Sequence, residues 1–217
     1  MDWTVISRNI DFLLGGLVVT FQLAVISLAG GIFFGVLLGL ARISSRKYIS
    51  CPATLYIHFF RSQPLILVIF WFYFFVPILF GKPMSAFISA IIGFIAFETA
   101  YFAEIIRGGI QSISKGQMQA AYATGMKHYQ VMRYIVLPQA LKNMLPSLMT
   151  QSIVLFQDTS LAYVIGLQEF LRRTSLVDSR EVKSIELYLF SALVYLVICL
   201  TMSLFVRRFE NKVHQGV

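Results

Sequence analysis

Charged residues are scarce in this chain of 217 residues. They make up 13% of the sequence, whereas soluble globular domains carry about 25%. Hydrophobic residues make up 58%, and three long stretches contain no charged residue at all: 12–41, 63–81 and 187–206. A bilayer core is crossed by about 20 consecutive apolar residues in a helix. The composition therefore excludes an ordinary soluble domain and predicts membrane-spanning helices.

Sequence signatures of catalysis are also missing. The chain has no phosphate-binding GxxxxGK[ST] loop, no nucleophile elbow and no HExxH motif. It also lacks the repeat of its two halves that many secondary transporters have. Its two cysteines, Cys51 and Cys199, are predicted to lie far apart, and His58, His128 and His214 are scattered. We therefore expect no catalytic residue, no metal site and no cofactor on this chain, and a membrane-embedded enzyme is the least supported reading.

The apolar stretches predict an all-α polytopic membrane protein with a single domain over residues 1–217. Two further apolar runs are interrupted only by single acidic residues, which makes five predicted transmembrane helices in all. Their approximate limits are 12–41, 58–80, 84–107, 143–168 and 186–207. Pro64 marks a point where the second of these helices is expected to start or kink.

The distribution of basic residues predicts the topology. With the N-terminus outside, the cytoplasmic segments hold twice as many lysines and arginines as the external ones, as the positive-inside rule requires. The net charge of +8 is spread over membrane-flanking segments, so no nucleic-acid partner is expected. The first residues lack the basic region of a signal peptide. This topology puts the C-terminus and the loop 108–142 in the cytoplasm.

The stretch from Lys115 to Pro138 is too polar for hydrocarbon and patterned like two short helices. Residues 117–124 contain good helix formers, Gly125 permits a turn through positive φ, and residues 126–136 resume a helical pattern. Pro138 suits the first turn of the helix that follows. Because about two dozen residues cannot bury a core of their own, we expect a docking element.

Small residues recur every four positions in the first predicted span, at Ser27, Gly31, Gly35 and Gly39. They would lie on one helix face and let another helix approach closely, which is how helices associate in lipid. This pattern predicts a helix–helix contact.

Polar residues at membrane depth mark a candidate substrate path. Glu98 lies about 18 Å along the third predicted span, and a carboxylate there is costly enough to suggest a function. The alternative is a glutamate that joins two helices. The fourth predicted span contains four consecutive polar residues, Gln157 to Ser160. Their hydrogen-bonding groups need partners in the membrane, which indicates either a path for a ligand or a break in the helix. The predicted path consists of Glu98, Thr99, Gln157, Asp158, Thr159 and Ser160. Glu104 is expected to pair with Arg107.

The polar loop resembles the EAA loop of bacterial ABC importer permeases. The resemblance rests on Gln119-Ala120-Ala121, Gly125, Ile135 and Leu137-Pro138, which are separated by three, nine and one residues in that order. Gln119 stands in place of the motif's glutamate. Four further segments resemble the polar amino-acid uptake subfamily: Phe60 to Pro64, Tyr101 to Ile110, Leu137 to Ala140 and Asp158 to Leu161. Within that subfamily the glutamate/aspartate permeases are the most similar.

The resemblance implies the fold of a type I ABC importer transmembrane domain in the bacterial inner (plasma) membrane. It also implies partners: a second permease subunit, identical or homologous, two ATPase subunits that carry ATP and magnesium, and a periplasmic or surface amino-acid-binding protein. The expected ATPase-coupling residues are Gln119, Ala120, Ala121, Gly125, Tyr129, Met132, Arg133 and Pro138.

The substrate implied by the resemblance is glutamate or aspartate. No lysine or arginine lies deep in the predicted spans, so the acids there would suit a basic substrate more directly. The alternatives are a permease for arginine, histidine, glutamine or cystine, or a channel or scaffold subunit without an ATPase.

Overall fold

Every regular element in residues 2–215 is helical, and these are the residues that the computed structural model describes. The side chains of Phe209 and of residues 211–215 lie outside this description. They include His214 and Lys212, which is one of the basic residues assigned above to the cytoplasmic side. The helices are α1 (Thr4–Arg8), α2 (Ile10–Arg42), α3 (Lys47–Arg61), α4 (Leu65–Phe70), α5 (Val76–Phe80), α6 (Ala86–Gln111), α7 (Lys115–Ala123), α8 (His128–Val131), α9 (Leu137–Asp158), α10 (Phe170–Glu181) and α11 (Ser184–Gln215).

Helices α2 and α6 run side by side in the same direction and form the centre of the fold. The small residues predicted to make a helix contact do so. A Cβ atom at Gly35 would lie 2.6 Å from the Cβ of Phe102, and one at Gly39 would lie 2.9 Å from the carbonyl oxygen of Ala103. Since only glycine leaves room for this approach, the predicted contact is confirmed.

Within the described residues, three helices are long and apolar enough to cross a membrane: Ile10–Arg42, Ala86–Gln111 and Ser184–Arg208. A fourth candidate arises if Lys47–Arg61 and Leu65–Phe80 are taken as one broken span. That pair is bent by 105° at the break before Leu65, which agrees with the expected start or kink at Pro64, and the span limits 58–80 stay a prediction. Pro64 explains the bend, because it cannot donate a helical hydrogen bond and disfavours helical backbone at the preceding residue. The count of five spans stays a prediction.

The fourth predicted span also differs from the observed helix. The backbone is helical from residue 128 to residue 158, and a 3₁₀ segment (Thr159–Ile165) then leads to Gly166, whose φ is 77°. The predicted span, 143–168, therefore starts inside a longer helix and includes a segment that is not α-helical, and its membrane limits stay a prediction. The break in the helix at the polar residues is the alternative that the sequence left open.

Two π-helical turns precede prolines. One (Trp71–Phe75) separates α4 from α5 and ends two residues before Pro77. The other (Met132–Val136) separates α8 from α9 and ends two residues before Pro138. A proline inside a helix removes one hydrogen bond and clashes with the carbonyl four residues earlier. The wider turn accommodates that clash, which lets both helices continue through their prolines.

The loop between α6 and α9 contains the two predicted short helices. Ser114 caps α7 by accepting a hydrogen bond from the backbone N–H of Gln117, and Gly125 has a φ of 83° as expected. The second helix begins at His128, two residues later than predicted, and runs on into α9. A small cluster that includes Ala121, Val131 and Val136 holds the two helices against the ends of α6 and α9. We call this end of the bundle the loop end.

Candidate functional site

Glu98 on α6 is fully buried among the central helices. Gln151 on α9 donates hydrogen bonds from Nε2 to both of its carboxylate oxygens, at 3.3 and 3.1 Å. On the α2 side, a Cβ atom at Gly31 would lie 3.0 Å from the Cβ of Glu98. The carboxylate thus has one neutral donor and retains lone pairs that could accept further hydrogen bonds.

Asp158 acts electrostatically on Glu98, as the smallest of the influences on that carboxyl group. It is the last residue of α9 and lies seven residues after Gln151, which puts both on one face of that helix. None of the ion pairs in the described part of the chain involves Glu98 or Asp158. Two acidic groups without a cation form a site that complements a positively charged ligand group.

The other predicted path residues face elsewhere. Thr99 lines an outward groove between α2, α3 and α6, and Gln157 lines a groove between α9 and α11. Gln157 also lines a neighbouring cavity of about 330 Å³, together with Ser160, Tyr188 and Ser191. The Thr159 hydroxyl donates to the carbonyl oxygen of Phe156 at 2.6 Å. Of the predicted set, Gln157 and Ser160 therefore line one cavity, and Glu98 and Asp158 are linked by an electrostatic effect without a direct contact.

Gln151 was not among the predicted residues. Its seven-residue spacing from Asp158 was a usable signal, since residues seven apart share a helix face. What concealed it was that a glutamine alone inside an apolar segment has no distinguishing chemistry.

The loop helices present an exposed polar and aromatic surface. Tyr129 is 65% exposed, and its hydroxyl accepts a hydrogen bond from Arg133 Nη1 at 2.7 Å. Of the predicted coupling residues, those with exposed side chains or backbone are Gln119, Ala120, Gly125, Tyr129, Arg133 and Pro138. Ala121 is buried, and Met132 packs against the small cluster beneath. These two residues hold the surface in place rather than forming it.

An ion cluster lies at the loop end. Glu104 pairs with Arg107 one turn along α6, as the sequence predicts, and also with Arg42 at the end of α2. Arg61 at the end of α3 lies 3.8 Å from the same carboxylate. The two additional arginines could not be inferred from spacing, because they come from other helices.

A second buried glutamate, Glu169, lies at the opposite end of the bundle. Its carboxylate accepts hydrogen bonds from the backbone N–H groups of Leu171 and Arg172, at 2.8 and 2.6 Å, and so caps α10. Beside it, the Thr20 hydroxyl accepts from the Phe170 N–H at 3.1 Å and donates to the Gly16 carbonyl oxygen. This group joins α10 to α2.

The chain matches the family described as "Binding-protein-dependent transport system inner membrane component" over residues 31–215. It belongs to this family, the membrane permease subunits of ABC importers. The resemblance seen in the polar loop is therefore confirmed.

The most similar relatives are amino-acid permeases. The chain is 46% identical over 218 residues to the glutamate/aspartate import permease protein GltK of Escherichia coli O6:H1, with 97% of each chain covered. It is 34% identical over 212 residues to the glutamine transport system permease protein GlnP of Escherichia coli K12, again with 97% of each covered. This protein is thus a permease subunit of an amino-acid ABC importer.

Solved structures agree with this assignment. A crystal structure described as an amino acid ABC transporter with histidines matches with a TM-score of 0.93 at 32% identity, covering 98% of this chain and 99% of that one. A chain of the MetNI methionine ABC transporter has the same fold, with a TM-score of 0.72 at 17% identity and the same coverage.

Proposed function

We propose that this permease imports glutamate and aspartate. The observation that carries the proposal is the identity of 46% to a glutamate/aspartate import permease, against 34% to a glutamine permease. Five transmembrane helices, with the N-terminus outside and the loop end in the cytoplasm, complete the proposed arrangement. The alternative of a channel or scaffold subunit without an ATPase is not retained, because the chain belongs to the family of ABC importer permeases.

The proposed substrate path passes the site formed by Glu98, Gln151 and Asp158. The two carboxylates meet the ammonium group of an amino acid, while the amide of Gln151 can turn to donate to a substrate carboxylate. The substrate's carboxylates must otherwise rely on neutral donors or on the second permease subunit.

A basic amino acid is the second candidate substrate. Glu98 and Asp158 have no cationic partner in the described chain, so a guanidinium or imidazolium group would suit them better than a second carboxylate would.

Uptake by the complete importer in proteoliposomes separates these candidates. The permease is reconstituted with its ATPase and binding protein, and uptake of labelled glutamate, aspartate, arginine and histidine is compared. The proposal expects ATP-dependent uptake of the two acidic substrates, and uptake of arginine alone would overturn it.

The role of Asp158 is tested separately with Asp158→Asn. Both uptake and the substrate-dependent ATPase rate should fall if this carboxylate lines the path. Unchanged values for both would remove Asp158 from the proposed path.

Helices α7 and α8 are proposed to dock on the ATPase, so that its ATP-driven movements turn the permease helices. Two permease subunits enclose the path, two ATPase subunits bind at the loop end, and the amino-acid-binding protein delivers substrate at the opposite end. A Cβ atom added at Gly125 would meet no atom of the described residues within 4 Å. Loss of function on enlarging it therefore reports on a partner surface.

Gly125→Trp should abolish uptake without lowering the amount of protein in the membrane. Gly125→Ala is the matched control, since it carries the same strain at φ 83° but little volume. Wild-type uptake by the tryptophan variant would contradict the docking role.

Labelling of a cysteine in α7 tests the proposed orientation. Gln119→Cys is combined with Cys51→Ser, because Cys51 is the exposed native cysteine. An impermeant maleimide should label the variant only after the cells are opened. Labelling in intact cells would place the loop end outside and overturn the arrangement.

A further inference from the structure

A long apolar groove runs along the outside of the bundle between α2, α3 and α6. Its volume is about 600 Å³, and its walls include Phe34, Leu38, Ala41, Tyr56, Ile92 and Ile95. Phe34 is 49% exposed, so the groove opens outward. The Tyr56 hydroxyl is already engaged, because it donates to the carbonyl oxygen of Ala96 at 2.8 Å. The groove therefore offers hydrocarbon contact and few free hydrogen-bonding groups.

The same three helices carry the ion cluster at the loop end. Arg42, Arg61 and Arg107 all pair with the single carboxylate of Glu104, so three positive charges face one negative charge and the cluster has a net charge of +2. Arg61 is the most accessible of the three, with a side chain 41% exposed and its guanidinium 5.3 Å from the centre of the Tyr101 ring. Arg107 also donates to the side-chain oxygen of Gln111, and its Nε is buried with no hydrogen-bond partner among the described residues.

Each wall of the groove leads to one member of this cluster. On α2, Ala41 is followed directly by Arg42, and on α3, Tyr56 is followed five residues later by Arg61. On α6, Thr99 is five residues before Glu104, a rise of about 8 Å along the helix. Along the helix axes, the patch of excess positive charge therefore lies next to the apolar groove, on its loop-end side.

We propose that this groove and cluster bind an anionic phospholipid, with an acyl chain between α2, α3 and α6 and the phosphate against Arg61 and Arg107. Basic pockets between membrane helices recognise anionic headgroups in this way. The guanidinium groups supply paired donors for phosphate oxygens, and burial of the acyl chain covers the exposed aromatic and aliphatic walls.

A second copy of the chain fits this face less well. A symmetric contact would place each arginine cluster near its equivalent, and the excess positive charges would repel. A free inorganic anion would satisfy the arginines but would leave the groove uncovered. Only a ligand with both a negative headgroup and a long apolar chain matches the two features together.

Native mass spectrometry of the purified importer complex tests the proposal. The complex is exchanged into mixed micelles of phosphatidylglycerol and phosphatidylcholine, and the lipids retained per permease are counted. We expect phosphatidylglycerol to be retained at least about fivefold more than phosphatidylcholine, which corresponds to roughly 1 kcal/mol. Equal retention of the two lipids would overturn the proposal.

Variants on the two features sharpen the test. Arg61→Gln should lower phosphatidylglycerol retention severalfold, and Arg61→Lys should restore part of it. Arg208→Gln is the matched control, since Arg208 is an exposed arginine outside the cluster. An equal effect of the control variant would show that general surface charge is responsible and would contradict a specific site.

The groove itself is tested by Ala41→Phe, which fills the slot next to the cluster. Retention of phosphatidylglycerol should fall with the headgroup residues intact. If retention is unchanged while added inorganic phosphate displaces the lipid, the cluster is a free-anion site and the lipid proposal fails. Disulfide crosslinking between two copies through Ala41→Cys would show that a second copy covers the groove and would also overturn it.

Discussion

The two most deeply buried glutamates of this chain differ in what surrounds them. Glu98 and Glu169 are both fully buried, and each lies where a helix packs against α2. Glu169 receives two backbone N–H groups at the start of α10 and so has a fixed structural role. Glu98 receives only the side-chain amide of Gln151.

This difference teaches how to separate a functional carboxylate from a structural one. Burial makes any carboxylate costly, so burial alone does not distinguish the two roles. A structural carboxylate binds the donors of its own fold, and its removal leaves those donors unsatisfied. A carboxylate that keeps unused acceptor capacity, next to a second acid and on the central helices, is available to a ligand.

The largest effect that this comparison predicts is on transport, from Glu98→Gln. Uptake per transporter should fall by at least about tenfold, a loss of roughly 1.4 kcal/mol in transition-state stabilisation. The melting temperature of the complex should stay the same or rise, since a neutral amide costs less to bury. Uptake is measured in proteoliposomes. Wild-type uptake together with a lowered melting temperature would assign Glu98 to the structural class.

Glu169→Ala should instead act on stability. Loss of a helix N-cap costs about 1–2 kcal/mol, which lowers the melting temperature of a chain of this size by about 4 °C. Uptake per folded transporter should change little. Glu169→Asp serves as the control, because aspartate is also a good capping residue. If Glu169→Ala had a normal melting temperature but lost transport, Glu169 would be a functional carboxylate and the contrast with Glu98 would fail.

A smaller effect is expected from Gly31→Ala, because the added Cβ would lie 3.0 Å from the Cβ of Glu98. Displacement of that side chain should reduce uptake about threefold, equivalent to roughly 0.7 kcal/mol. Gly108→Ala provides the comparison on α6, since a Cβ there would meet nothing within 4 Å. Equal uptake by the two variants would indicate that the α2 contact does not position Glu98.

Several features of the fold could be predicted from the sequence because they are local. The scarcity of charge predicts membrane helices, and the four-residue spacing of small residues predicts a close helix contact that the structure confirms. Gly125 adopts the positive φ that its lack of a Cβ permits. The bend at Pro64 follows from the same kind of backbone chemistry, although its size of 105° does not.

The site residues could be predicted only in part, since hydrophobic patterning does not specify which helix faces meet. Glu98 and Asp158 were identified by their cost in a membrane, but Gln151 carries no such signal. Thr99 lines a groove between α2, α3 and α6, whereas Gln157 and Ser160 line one cavity beside α11, and their membership of the substrate path stays a prediction.

The amino-acid sequence by itself determined that this chain consists of apolar helices and carries a polar loop of two short helices that turns at Gly125, because solvent preference and backbone conformation are properties of individual residues and short segments. Only the tertiary structure decided that α2 and α6 run in the same direction, that Gln151 meets Glu98, and that three arginines converge on Glu104. Those contacts join residues far apart in the chain, and their geometry depends on how whole helices pack.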